Sequence, residues 1–352
     1  MRDLFPEYNK PSKRSFIKLW DEATFVFDTN VLLSLYRIPQ QARAKLIIIL
    51  KELQKRGRVW IPHQVALEYY RDRLYVIHSQ EKAHHESISL LNTTEQEIDK
   101  LFDSKLILKK ISLNFKTIQK EVVLSKNKYC DFLNKDKVEI ELNRILKNRV
   151  GKPFDNKRLN EIYKDGEARY EKEIPPGYSD RKRKDKEDKT GTSKFGDLII
   201  WMQILDKAQE AKTPIIFVTD EQKEDWWWKV SGLNGATIIG ARHELLKEVK
   251  ERANVSFHMY QSDQFMKYAG QHFKVKFNKD LLEKVKKLKE STQTDQELAK
   301  SEEGLVASST DSIGSNNSPI TVSDIQDQGD LSSGSVSSTE PKEDGGLGNN
   351  VT

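Results

Sequence analysis

Short apolar runs alternate with stretches of helical periodicity over most of the chain. Residues 24–27 (TFVF) read as a strand that ends in Asp28. Residues 31–37 and 40–55 then read as helix, with Pro39 interrupting. A second strand, residues 58–61 (RVWI), runs into Pro62. A helix can begin at a proline, because its missing N–H would have no partner in the first turn. From there Leu67, Tyr70, Leu74 and Ile77 recur at helical spacing. Residues 80–150 are highly charged and predict two or three long helices, whereas residues 152–193 are less regular. Pro175-Pro176-Gly177 breaks that second stretch, and residues 181–189 (RKRKDKEDK) form a charge run.

The strong pattern returns at residue 193. Residues 193–209 predict a helix with an apolar stripe at Leu198, Trp201, Met202, Leu205 and Ala208. Residues 214–218 (PIIFV) read as a buried strand, 221–230 as a short helix and 237–239 as a strand. A helix over 242–252, a last strand over 255–259 and helix over 261–290 complete the order. Strands alternating with helices predict an α/β fold, a three-layer parallel sheet carrying a helical insertion. The predicted division is an N-terminal extension (1–20), an α/β domain in two pieces (21–79 and 190–265) and an insertion with a basic linker (80–189). A C-terminal helix (266–290) and a tail (291–352) follow.

Charge separates the tail from the rest. Residues 291–352 contain two Lys, no Arg and eleven acidic residues, so the remainder of the chain carries +14 against a total of +5. The tail also lacks aromatic residues and is rich in Ser, Gly, Asn and Asp. Such a composition cannot bury enough surface to offset chain entropy and predicts disorder. The basic body fits a polyanionic partner, although a solvated lysine-rich surface explains the same excess. One cysteine, Cys130, allows no internal disulfide and fits a reducing cytoplasm. The first twelve residues hold no apolar core of a leader, and no apolar run reaches membrane-spanning length. The expectation is a soluble cytoplasmic protein with no membrane partner.

Candidate chemistry sits where strands end, since ligands of open α/β sheets bind beyond the carboxyl ends of the strands. Asp28 follows the first strand and Asp220 follows residues 214–218, so both are expected to point into one crevice. Glu68 lies two turns into the helix after Pro62, and Asp197 one turn into the helix that begins near 193. Clustered like charges need a counterion, and oxygen ligands suit a hard divalent cation, Mg²⁺ or Mn²⁺. Asn30 is placed to orient a carboxylate or a metal-bound water. Each acid has a plainer reading. Asp28 and Asp220 can be helix caps, Glu68 a surface residue, and Asp197 a favourable charge in a first turn. Glu221, Glu224 and Asp225 add carboxylates, any of which can be an accessory ligand, with exposed helix surface as the plainer reading. Lys194, beside Gly196-Asp197, and Arg181 and Arg183 of the charge run are candidates for phosphate contact. Of Trp226-Trp227-Trp228, two are expected in the core and one at an interface. His78, His84 and His85 lack metal-binding spacing, and there is neither a P-loop nor a zinc-type cysteine pair.

Residues 27–33 (FDTNVLL), 61–69 (IPHQVALEY), 194–201 (KFGDLIIW) and 215–227 (IIFVTDEQKEDWW) together resemble the PIN-like domain superfamily. The closest look is to a bacterial subgroup with a large helical insert and a PPGY segment, here residues 175–178. The resemblance implies Mg²⁺- or Mn²⁺-dependent cleavage of nucleic acid, RNA more often than DNA. It also implies Asp28, Glu68, Asp197 and Asp220 as the four metal-holding and catalytic acids, with Asn30 as the polar residue beside the first. The gap from Glu68 to Asp197 is much longer than in compact PIN toxins, which argues against a simple toxin. An endoribonuclease of bacterial stress or phage defence would suit this pattern. The alternative is a catalytically inactive PIN-like module that binds nucleic acid or protein. The long insertion suits a substrate wall or a dimer arm equally, so a homo-oligomer or a regulatory protein partner is a further expectation.

Overall fold

The computed structural model describes residues 5–9, 12–181, 191–232 and 235–291. Four parallel strands form the central sheet in the order β2–β1–β3–β6. They are β1 (Thr24–Phe27), β2 (Val59–Trp60), β3 (Ile215–Val218) and β6 (Phe257–Tyr260). Val26 stands opposite Phe217, which stands opposite Met259. Alternation along a strand then sends Phe25 and Phe27 to one face, and Val26 and Phe217 to the other.

Helices cover both faces, so the sheet is the middle of three layers. On the first face, α1 (Lys13–Glu22) packs Trp20 on Phe25. The helix after β6, residues Ser262–His272, packs Phe265 on Phe25 and Phe27. On the second face the helix Gly196–Ala211 packs Trp201 on Phe257, and Trp226 lies on Phe217. Strands buried on both faces must be apolar throughout, which is why β1 and β3 read as unbroken apolar runs.

Between β1 and β2 lie α2 (Thr29–Ser34) and α3 (Gln40–Lys55), with Pro39 at the start of α3. After β2 come α4 (His63–Leu101), α5 (Lys105–Asn134) and α6 (Lys137–Leu146). The outer parts of α4 and α5 lie side by side, and Gln119 donates to Asn92 across them at 2.8 Å. They leave Leu90, Leu101, Leu106 and Leu113 exposed. Of the residues that recur at helical spacing, Leu67, Tyr70 and Leu74 are also exposed and Ile77 is buried; the buried face of α4 is Val65, Tyr69, Val76 and Ile77.

Three further expectations on the elements are corrected. The stretch after Lys152 contains a 16-residue helix, α7 (Asn156–Glu171), capped by Asp155, which accepts from the Arg158 N–H. Residues 221–230 are not a helix. Lys223 O accepts from both Trp226 N and Trp227 N, closing one turn, and the chain then runs into β4 (Trp227–Gly232). Burial of the Trp226 and Trp227 rings fixes that turn, while Trp228 stays half-buried. The strand expected at 237–239 belongs to β5 (Gly235–Ala241), which pairs antiparallel with β4 in a hairpin apart from the main sheet. After Gly196–Ala211 (α8) come α9 (His243–Ala253) and α10 (Ser262–His272). Residues 279–291 form α11, so the helix expected over 261–290 is interrupted.

The chain divides into two units, Met1–Glu297 and Leu298–Thr352. The second, and with it almost all of the expected disordered tail, lies outside the described residues. Among the described residues no helix is long and apolar enough to cross a membrane.

Candidate active site

Asp28 is placed by β1, and three hydrogen bonds hold its carboxylate. Its Oδ1 accepts from the Thr29 N–H at 2.8 Å, which caps α2. Its Oδ2 accepts from Thr219 Oγ1 at 2.6 Å and from Asn30 Nδ2 at 2.8 Å. Asn30 also donates to Thr219 Oγ1 at 3.2 Å and accepts from the Asp220 N–H at 2.9 Å. The cap and the site readings of Asp28 are therefore compatible: one oxygen caps and the other faces the end of β3. Asn30 bridges the ends of two neighbouring strands and orients the carboxylate between them.

Glu68 comes to the same edge from α4. Its Oε2 accepts from Thr29 Oγ1 and its Oε1 from Gln64 Nε2, at 2.8 and 2.9 Å. The start of α8 abuts it so closely that a Cβ on Gly196 would lie 3.0 Å from Glu68 Oε1. Asp197 follows in the first turn of α8. Burial pushes the Asp28 carboxyl up to about 7; the Thr219 bond opposes this, and the charges of Asp197 and Glu68 add to it. Asp28, Glu68 and Asp197 thus share one electrostatic environment.

A second group of charges adjoins Asp197; Glu221 and Asp225 stood as candidate accessory carboxylates, whereas Lys223 and Asp180 were not expected. Lys223 Nζ lies 2.8 Å from both Asp180 Oδ2 and Glu221 Oε2, and 4.0 Å from Asp197 Oδ2. Burial works against its charge, yet Asp197, Glu221 and Asp180 outweigh it and hold the ammonium far above its usual range. Asp225 is fully buried rather than on a helix surface. Its Oδ2 accepts from the N–H groups of Gly177 and Ser179 at 2.9 and 3.1 Å. Burial and then the charge of Asp197 push Asp225 up to about 6. Asp197 Oδ2 and Asp225 Oδ1 are buried with no hydrogen-bond partner.

The PPGY segment closes one side. Arg169 holds Pro175 O at 2.7 Å and forms a two-bond ion pair with Glu248. Gly177 has φ +97°, and a Cβ there would lie 2.3 Å from Tyr170 Oη and 3.2 Å from Asp197 Cβ. Only glycine suits both that backbone and that closeness.

A family model described as a PIN like domain matches residues 24–245. The chain belongs to the PIN-like domain family. The match begins at the first residue of β1 and contains every acid of the site together with Lys223, Asn30 and Gly177. No curated protein and no solved structure matches the chain.

Within this PIN-like domain the other expected residues stand elsewhere. Asp220 is bonded on the β6 side of β3, while its own N–H donates to Asn30. Its Oδ1 accepts from the Ser262 N–H at 2.9 Å, at the start of α10, and the charges acting most on it are Lys289 and Asp263. The reason is register. Phe27 pairs with Val218, so the residue level with Asp28 is Thr219, and Asp220 is one position too far along. Lys194 is buried, with Nζ 2.6 Å from Glu167, and Arg181 lies 3.5 Å from the same carboxylate. Both are thus drawn to Glu167. Arg183 and the rest of the charge run lie outside the described residues.

Among the described residues, no three carboxylate, imidazole or thiol side chains are already drawn together as a metal cage. The donor set nonetheless fits a hard cation in kind. It consists of carboxylate oxygens, one on Asp197 is buried without a partner, and Asp28 is crowded by two like charges. The sequence carried a signal for the missed Lys223 and Asp180: Lys223 lies three positions before a pair of tryptophans that the fold buries, and Asp180 three positions after the left-handed Gly177.

Proposed function

We propose that this PIN-like domain is a metal-dependent nuclease that hydrolyses phosphodiester bonds, RNA in preference to DNA. PIN-like domains are commonly nucleases, and the observation that carries the reading here is that Asp28 and Glu68 are both bonded to Thr29 at the carboxyl edge of the sheet, with Gly196, next to Asp197, packed against Glu68. These three residues would hold Mg²⁺ or Mn²⁺, and such an ion supplies a polarised water and neutralises phosphate charge. The chain's own residues prepare that site. Thr219 and Asn30 fix one oxygen of Asp28, while Thr29 and Gln64 fix both oxygens of Glu68. Asp28 holds a proton below about pH 7 and releases it where a cation compensates its neighbours. The turn at Gly177 lies against Asp197 and limits water there. The basic body supports a polymeric polyanion over a small phosphoester.

The test is cleavage of labelled single-stranded RNA with Mg²⁺ or Mn²⁺ by the wild type and by Asp28→Asn. Cleavage is expected to need the ion and to drop at least about 100-fold in the variant, as for loss of a group that stabilises transition-state charge. Tight RNA binding with no cleavage by the wild type would instead favour a binding module.

A further inference from the structure

Six carboxylates gather around this site: Asp28, Glu68 and Asp197, and beside Asp197 also Asp180, Glu221 and Asp225. Lys223 is paired with Asp180 and Glu221. It is not a loosely attached surface lysine. Its backbone N–H donates to Glu221 Oε1 at 3.1 Å, and its carbonyl accepts from Trp226 and Trp227, whose rings are buried. The ammonium is thus delivered by a fixed turn, and its side chain is about one-fifth exposed, so it remains within reach of a bound molecule.

We propose that Lys223 is the built-in cation of this site, standing where a second divalent ion would otherwise be needed, so that the site takes one Mg²⁺ or Mn²⁺ and not two. The inference rests on the nuclease reading above and specifies it. A second ion on the Asp180–Glu221 side would have to displace an ammonium paired at 2.8 Å with each of those carboxylates. An ammonium has three donors, and these two pairs leave one uncommitted to either of them. The 4.0 Å to Asp197 Oδ2 is beyond hydrogen-bond distance, and that oxygen is left with no partner. Asp197 therefore feels the charge of Lys223 while that oxygen stays uncommitted and available to an ion. The remaining N–H of Lys223 is suited to a non-bridging phosphate oxygen of a nucleic-acid strand, which makes it a positioning residue for that strand.

The experiment is a Mn²⁺ titration of the full chain, counting bound equivalents by the electron paramagnetic resonance of the free ion. Wild type, Lys223→Arg and Lys223→Met are compared, with far-ultraviolet circular dichroism to confirm that each is folded. One equivalent is expected for the wild type and for Lys223→Arg, and two for Lys223→Met, where Asp180 and Glu221 lose the ammonium of Lys223. Should Lys223→Met fail to fold, Lys223→Gln, which keeps a donor to Asp180, carries the same expectation. Two equivalents in the wild type, or one in the folded neutral variant, overturn the proposal and leave the nuclease reading intact. No Mn²⁺ bound by any of them overturns both.

Discussion

At the scale of single residues, this site depends on carboxylates held closer together than their charges favour. Asp28 has a usual value near 3.8 and is pushed up to about 7, so the folded state binds its proton more tightly than the unfolded chain does. That contribution to stability is full below pH 4 and is lost as pH rises towards 7. Asp225, pushed up to about 6, acts in the same direction. The metal-free protein is therefore expected to melt at lower temperature at pH 8 than at pH 5 on account of these two groups. Added Mg²⁺ or Mn²⁺ should recover much of that difference at pH 8, and Asp28→Asn should shrink it. Melting curves over this pH range, with and without the ion, test both statements. Asp220 accepts from the Ser262 N–H at the start of α10. Asp220→Ala removes that acceptor and is expected to cost about 1 kcal/mol, as at other helix caps, while leaving Mn²⁺ affinity unchanged. A urea melt and a Mn²⁺ titration of that variant check the two halves; a large loss of affinity would return Asp220 to the ligand set.

At the scale of elements, the site is an assembly of ends: those of β1 and β3, the start of α8, the early turns of α4 and the turn before β4. Asp225 ties the last of these to the PPGY segment through two backbone N–H groups. Asp225→Ala leaves both without an acceptor, at a cost of about 1–3 kcal/mol for each donor that stays buried. The expected result is faster proteolytic nicking between Pro175 and Arg181 and a lower melting temperature, both partly restored in Asp225→Asn. Unchanged nicking would mean that Arg169, through Pro175 O, is enough to hold the segment. The alternation of strand and helix was legible in the sequence because parallel strands are apolar on both faces. The segment 221–230 was misjudged because its pattern fits one helical turn, and only the burial of Trp226 and Trp227 sends it into a hairpin.

At the scale of the whole molecule, charge is the property most open to test. The chain outside its acidic tail carries +14. If that charge meets a nucleic-acid backbone, binding releases counterions and log K falls linearly with log salt. The affinity of the full chain for single-stranded RNA is expected to drop at least about tenfold between 50 and 200 mM salt, the range over which several phosphate contacts act. Fluorescence anisotropy measures it, and a flat response would point away from a polyanion.

The sequence by itself determined the sheet, the family and three of the acids that meet. Strand periodicity, Gly196 before Asp197 and the polar Asn30 after Asp28 are local features, and local features survive in a one-dimensional reading. What only the tertiary structure decided is which oxygen faces which. The pairing of Phe27 with Val218 puts Thr219, not Asp220, beside Asp28, and a shift of one residue along a strand reverses the direction of a side chain. The closeness of Lys223 to Asp180 and of Gly177 to Asp197 joins residues tens of positions apart. No periodicity encodes those contacts, because they are set by how helices and turns pack over the finished edge of the sheet.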